Sequence, residues 1–398
     1  MIVDNHSISG MKTIDYDIHG LVGIRLIDPT ESDARAVGRQ LGPICKKLDR
    51  DPDIVIQFVK ELKTTGMHYI GLNKAGFTDD AFFILRSSKR PAKVRIPFEQ
   101  IGRQVEILCQ SGLRSVPLLI HILNLTLLKK GCIPVHASAF VYDGSGILVT
   151  GWAKGGKTEA LLAFANHGAQ YIGDDWIILS RDGESIFGLP EPIRLWDWHL
   201  SYLPKIKKEM KKTDAFLFFA IRLLDKMVNR IPESKIKKAF PLGILSEALP
   251  ALKRQLNITV PPQNIFEGRL NGQKAQLEKV FFILSHESRE VQVTPSHPDD
   301  IAKSVLYSIQ YEQMPFWEMY YSFKFAFPDK ANSFLENVKE LQYDGLTEAL
   351  RHKEAYRVIH PYPVDFAELY EAMRPYCQKR KNDGRKTTMA KIIEKSIQ

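Results

Sequence analysis

Cysteine is scarce and scattered in this chain. Cys45, Cys109, Cys132 and Cys377 are the four in 398 residues, and none belongs to a Cys-x-x-Cys pair or a Cys/His spacing suited to zinc. A disulfide framework and a structural zinc fold are left without support, and free thiols are expected. Long apolar runs are also missing. The longest nearly unbroken one, 116–128, includes His121 and Asn124 and is too short to cross a bilayer as a helix, so it reads as a buried helix. The first twenty residues carry Asp4, His6, Asp15 and Asp17 and lack a basic-then-apolar export pattern, which gives a cytoplasmic expectation. No internal repeat occurs.

What is present is an ordinary globular composition, 44% hydrophobic and 25% charged, with enough length for a central domain and flanking parts. The net charge of +9 inclines the surface toward phosphates, acidic proteins or anionic lipids without choosing among them, and no motif for sequence-specific nucleic acid binding stands out. Much of that charge is local: Lys205, Lys207, Lys208, Lys211 and Lys212 form one cluster, Lys235, Lys237 and Lys238 another, and Lys379, Arg380, Lys381, Arg385 and Lys386 a third.

The alternation in 16–26 is strand-like, 31–48 has helical spacing, 82–85 reads as a short strand, and 98–128 returns to helical periodicity with a break near Pro117. Residues 1–125 are accordingly read as an accessory α/β region. From Gly131 onward short apolar runs are separated by Gly and Asp, and Asp143-Gly144 and Asp182-Gly183 suit hairpin turns. The expected fold is therefore α/β with a mixed, partly antiparallel sheet over 126–300, interrupted by a basic, amphipathic insertion at about 202–253. Beyond it, 301–375 reads as mainly helical and 376–398 as a basic, mobile tail. The insertion could serve as an acceptor-docking lid, as a membrane-surface helix, or simply as a packed insertion.

The segment Gly151-Trp152-Ala153-Lys154-Gly155-Gly156-Lys157-Thr158 satisfies G-x-x-x-x-G-K-[ST], the Walker A pattern. By chance it should arise in on the order of one per cent of chains this long. Its setting strengthens it, because an apolar strand, 147–150, precedes the loop and strong helix formers, 159–165, follow it. Glycines at 151, 155 and 156 let backbone N–H groups converge on phosphate oxygens, at a helix start whose dipole favours anions. Lys157 would then meet the β- and γ-phosphates and Thr158 a magnesium ion. Asp174 and Asp175 follow a short helix and Tyr171-Ile172-Gly173; one carboxylate suits magnesium and the other can accept the proton of an attacking hydroxyl.

These residues together resemble the catalytic domain of HPr kinase/phosphorylase and its broader HPr serine kinase-like relatives. The match runs from Pro134-Val135-His136-Ala137-Ser138, through the loop ending in Glu159, to Gly173-Asp174-Asp175, clear over 131–200 and weak toward 300. The resemblance implies a fold shared with phosphoenolpyruvate carboxykinase, ATP and magnesium as cofactors, and phosphorylation of a serine hydroxyl. By it His136 is an active-site residue, Thr158 and Asp174 hold magnesium, and Asp175 is the general base. Glu191-Pro192-Ile193-Arg194 corresponds loosely to a family segment with a functional Glu and Arg, leaving Arg194 as a phosphate ligand or a surface arginine. The glycine-rich signature after it is replaced by Leu195-Trp196-Asp197-Trp198, and Trp152 and Lys154 depart from the loop of the true HPr enzyme, which speaks against HPr as substrate. The expectation is an ATP-dependent kinase acting on a hydroxyl of a peptide, protein or small molecule. An ATP-binding switch with little turnover is the alternative from another class, and a carboxykinase shares the fold but lacks a recognisable transition-metal cluster in this chain.

Overall fold

Apolar residues at every second position of 11–27 can face one side only as paired strands, and the chain turns at His19-Gly20 to pair them: Ile14 with Leu26, Tyr16 with Ile24, Ile18 with Val22, all buried. In this computed structural model, which describes residues 6–8, 11–87, 90–229, 249, 252 and 256–379, that hairpin belongs to a nine-stranded sheet. Its strands are β1 (His6–Ile8), β2 (Met11–Ile18), β3 (Val22–Ile27), β4 (Ile54–Val59), β5 (His68–Ile70), β6 (Ala75–Phe77), β7 (Phe82–Ser87), β8 (Arg90–Arg95) and β9 (Val105–Gln110), in the order β1-β2-β3-β4-β9-β8-β7-β6-β5. The pairings β3–β4 and β4–β9 are parallel, the former bridged by helix α1 (Glu31–Leu41), and the others are antiparallel.

Two expected helices are shorter than their periodicity suggested. α1 stops at Leu41 because Gly42 takes a positive φ of 80° and is pressed against Pro190. Within 98–128, only α2 (Leu119–Lys129) and a short turn, Phe98–Gln100, are helical; Val105, Ile107 and Cys109 bury on a two-residue period as β9, a central strand. The buried helix expected in 116–128 is α2 itself, enclosed along almost its whole length.

The second sheet begins with β10 (Ile133–Tyr142) and β11 (Ser145–Gly151), joined through Asp143 and Gly144, both at positive φ as a tight primed turn requires. Helix α3 (Lys157–Ala165) leads to β12 (Gln170–Gly173), β13 (Trp176–Leu179) and β14 (Ser185–Gly188), the last two antiparallel across Asp182-Gly183. After a two-stranded ribbon, β15 (Ile193–Trp196) with β16 (Asn257–Val260), the long β17 (Lys274–Ser285) crosses the sheet. It pairs antiparallel with β14 at its start and parallel with β11 further on, so β11, β10, β13, β14 and β17 close a ring of pairings. β18 (Gln292–Pro295) and β19 (Glu354–His360) complete the sheet. The fold is thus mixed α/β with parallel and antiparallel pairings.

β19 lies in a stretch that reads as helical, because its polar Glu354, Arg357 and His360 mask the short apolar run; it pairs parallel with β17 over seven residues. Helices 298–312, 314–326, 338–350 and 366–377 surround it in sequence. The last continues through Pro375 to a buried Cys377, two residues into the expected tail, of which 380–398 lie outside the described residues. Of the insertion, α4 (Pro204–Glu209) and α5 (Lys212–Asn229) are described; α5 buries Phe218 and exposes Phe216, Phe219 and Met227. Residues 230–248, with the second lysine cluster, lie outside the described residues. Among the described residues no helix is long and apolar enough to cross a membrane.

One buried apolar cluster runs through both sheets, from Ile24 and Ile56 past Leu123 of α2 to Val135, Val280 and Ile309. A second surrounds α3, where Phe164 packs on Phe140 of β10 and on Tyr370 of the helix 366–377.

Candidate active site

β11 is followed by a five-residue approach to α3 that the surroundings crowd from both sides. A side chain at Gly151 would meet the backbone oxygen of Ile283 on β17, and one at Gly156, where φ is 110°, would run into the His360 ring at the end of β19. The loop therefore needs glycine at these two places. His360 Nε2 holds the carbonyl of Gly155 at 2.9 Å, the Gly155 N–H donates to the Trp152 carbonyl at 3.0 Å, and Ser308 Oγ donates to the Gly151 carbonyl at 3.0 Å. Pinned this way, the loop opens directly into the first turn of α3, where backbone N–H groups have no helical partner.

Lys157 is buried, and its ammonium donates to the carbonyls of Trp152, at 2.8 Å, and Gly151, at 3.3 Å. Burial pulls its pKa below the usual lysine range, against the opposing pull of Asp174 and Asp175. Thr158, one residue on, donates its hydroxyl to Asp174 at 3.1 and 3.2 Å from the two carboxylate oxygens. Glu159 meets His199 Nε2 at 3.3 Å; burial works against its ionisation, but the His199 ring outweighs it and keeps the carboxyl below its usual range.

Asp174 and Asp175 occupy the bend between β12 and β13, with Asp175 at a positive φ of 75°. His136 on β10 places Nε2 3.2 Å from Asp175 Oδ1, and the backbone ties β10 to the same bend through the Ala137 N–H and the Asp175 carbonyl at 3.1 Å. The other ring nitrogen of His136 lies 3.4 Å from Glu312 Oε1, close enough for an ion pair but without hydrogen-bond alignment. The two aspartates sit deep in a concavity yet remain reachable by solvent, and their pKa values move in opposite directions. Burial, with the charge of Asp175 beside it, raises Asp174 to about 7. For Asp175 burial is overcome by the hydrogen bond from His136 and by the charges of Arg194 and Lys157, so it stays below the ordinary aspartate value.

All these groups face one cavity of about 640 Å³, within the range that holds a nucleotide-sized ligand. His136, Lys157, Thr158, Asp174 and Asp175 line it together, with Ala153, Lys154, Gly156 and Glu159. Arg194, on β15, is exposed and lines it as well. Gly151 and Gly155 lie beneath the loop surface, and Trp152 points elsewhere, its ring 4.7 Å from that of Tyr311. Four further lining residues had no signal in the pattern of the sequence: Arg39 of α1, Thr259 of β16, Glu312 and Tyr362. Glu191 presents a buried Oε1 with no hydrogen-bond partner, and burial, reinforced by Asp175, pushes its pKa up to about 8.

Among the described residues no cluster of three or more His, Cys, Asp or Glu could hold a metal ion on its own. Thr158 and Asp174 offer neighbouring oxygen donors, which fits magnesium, an ion that takes one or two protein oxygens and completes its shell with water and phosphate. No protein-family model matches the chain, and no curated protein matches it. The HPr kinase-like resemblance stands on the motifs alone.

Proposed function

We propose that this chain is an ATP-dependent phosphotransferase that moves the γ-phosphoryl group to a hydroxyl, that of a serine in a peptide or protein. The observation that supports this most is the adjacency, in one cavity, of two side-chain pairs: Thr158 with Asp174, and Asp175 with His136. The first is a metal-holding pair at a helix start; the second is a carboxylate kept ionised next to an imidazole.

In the proposed reaction the first-turn N–H groups of α3 and the Lys157 ammonium bind the phosphates, Lys157 exchanging its bonds to the Gly151 and Trp152 carbonyls for phosphate oxygens. Magnesium, held by Thr158 and Asp174, would neutralise charge on the β- and γ-phosphates. Asp175 takes the proton from the acceptor hydroxyl as its oxygen bonds to the γ-phosphorus, and the bond between that phosphorus and the bridging oxygen breaks with its electron pair leaving on ADP. His136 orients the Asp175 carboxylate through Nε2. The cavity beside Asp175 is open to a side chain delivered from outside, which suits a hydroxyl on a larger molecule.

The test measures ADP release with and without candidate hydroxyl acceptors, serine peptides first. Asp175→Asn should keep ATP binding and lose transfer by on the order of a hundredfold or more, the usual worth of a positioned base. Thr158→Ala should weaken ATP binding in the presence of magnesium and leave it unchanged in its absence. Full transfer in the Asp175 variant would remove the base; tight ATP binding with no acceptor-stimulated release in the wild type would favour a nucleotide-dependent switch instead.

A further inference from the structure

The phosphoryl-transfer reading uses the acidic side of the cavity and leaves another part of its lining without a task. That part is aromatic: Trp196, Trp198 and Tyr362. Tyr362 is 60% exposed, an unusual state for a large aromatic side chain facing into a cavity. It is also well anchored. Two residues before it, His360 holds the Gly155 carbonyl of the phosphate-binding loop at 2.9 Å. Its hydroxyl is hydrogen-bonded with the Trp198 side chain, and the two rings meet edge-on with centroids 6.1 Å apart.

Trp198 is fixed in turn. Its ring lies against His199 at 4.1 Å and Phe366 at 5.7 Å, and His199 is the partner of Glu159 on α3. The aromatic group is therefore coupled to the loop through His360 and to the first turn of α3 through His199. A ring held this rigidly, with its face uncovered, binds a flat partner without losing side-chain freedom on binding.

The direction of the ligand follows from the chemistry at the other end. If the reacting phosphate faces Asp175 and His136, the nucleoside must leave the loop away from them, and the aromatic group comes from other elements, the 197–201 turn after β15 and the segment after β19, where the neighbouring carboxylates are Asp197 and Glu159 rather than the reacting aspartates. We propose that the ring of Tyr362, buttressed edge-on by Trp198, forms the platform on which the purine base of the nucleotide stacks. This inference rests on the phosphotransferase reading, and it divides the affinity into a phosphate end held by the loop and a base end held by the aromatic pair.

The division is what the experiment reads. Binding of magnesium-ATP and of magnesium tripolyphosphate, which has the phosphates but no base, is measured by calorimetry on the full chain, for the wild type, Tyr362→Ala, Trp198→Ala and Tyr362→Phe. The wild type should bind ATP more tightly than tripolyphosphate. Tyr362→Ala and Trp198→Ala should each weaken ATP on the order of tenfold, the scale of one base–aromatic stack, while leaving tripolyphosphate unchanged. Tyr362→Phe, which keeps the ring, should bind ATP within about twofold of the wild type. Unchanged ATP affinity in both alanine variants overturns the platform and leaves the phosphate site standing. Parallel loss of ATP and tripolyphosphate also overturns it, because the residues would then act on the loop. A wild type that binds neither ligand removes the phosphate reading itself, and the platform with it.

Discussion

Asp174 and Asp175 are consecutive, yet one is pushed toward neutrality and the other held ionised, because consecutive residues at a bend face different neighbours. Glu191, another carboxyl of the cavity, has its Oε1 buried and unpaired and its pKa at about 8. A carboxyl whose folded pKa lies above its unfolded value near 4.5 binds its proton more tightly when folded, so the protein loses stability as pH rises from about 4.5 to about 8. Glu191→Gln removes that liability. The variant should match the wild type near pH 4.5 and exceed it by about 1 kcal/mol or more at pH 8.5, one pKa unit being the smallest shift that leaves such a difference. Urea melts at the two pH values check this, and an equal difference at both would mean that Glu191 acts through packing. The part of the site legible in the sequence is the part made of neighbours: the 151–158 loop, and the paired aspartates one short helix later. Glu312, Arg39 and Tyr362 arrive from other elements, more than a hundred residues from the loop in each case, and nothing local to Tyr362 or Arg39 distinguishes a cavity-lining residue from a surface one.

At the scale of elements, the loop depends on the closeness of β11 to β17. Gly146 lies where their register shifts, and a side chain there would overlap the backbone oxygen of Gln276. Gly146→Ala should cost about 1–3 kcal/mol or more through forced separation of the strands. Gly168, at the end of α3, has positive φ but open space around it, so Gly168→Ala should cost only about 1–2 kcal/mol, the strain of a left-handed residue. Denaturation midpoints compare the two, and a smaller loss at Gly146 would contradict the close approach of β11 to β17. Strands with a clean two-residue alternation and hairpins with Asp-Gly turns were readable in the sequence, as β2, β3, β10, β11, β13 and β14 illustrate. β9 and β19 were not. In β9 the apolar positions sit among others that also fit a helix, and in β19 the partner strand, more than seventy residues away in sequence, supplies what the local pattern lacks.

For the whole molecule, the continuity of the buried cluster through both sheets means that neither can lose its partner without exposing apolar surface. Asn332 makes a polar counterpart to that seam. Its Nδ2 donates to the carbonyls of Phe98 and Ile101, both at 2.9 Å, and its Oδ1 caps the short helix Ser333–Glu336. Asn332→Leu would keep the volume and take this partner from the Ile101 carbonyl and from the N–H groups of Phe334 and Leu335, while the Phe98 carbonyl keeps its bond from the Ile101 N–H, so a loss of about 2–4 kcal/mol is expected. Because Trp152, Trp176, Trp196 and Trp198, four of the five tryptophans, lie in or beside the second sheet, fluorescence follows mainly that sheet while far-ultraviolet dichroism follows both. Coincident urea transitions in the wild type and the variant are the expected result, and an early dichroism transition in the wild type would show that the sheets unfold separately.

The parallel trio β11, β17 and β19 carries a different kind of message, about which changes of length the gene can accept. Gly151 stands beside Ile283, and Ser285 beside His360, so the loop and the histidine that pins it are set by one common register. A codon added within β19 ahead of His360 would turn the ring to the opposite face and leave the Gly155 carbonyl without it. The turn at Asp143-Gly144 has free space around its glycine, and length can vary there without moving the loop. Descendants of this chain can therefore drift in sequence along these strands, but the spacing between them behaves as a reading frame of its own.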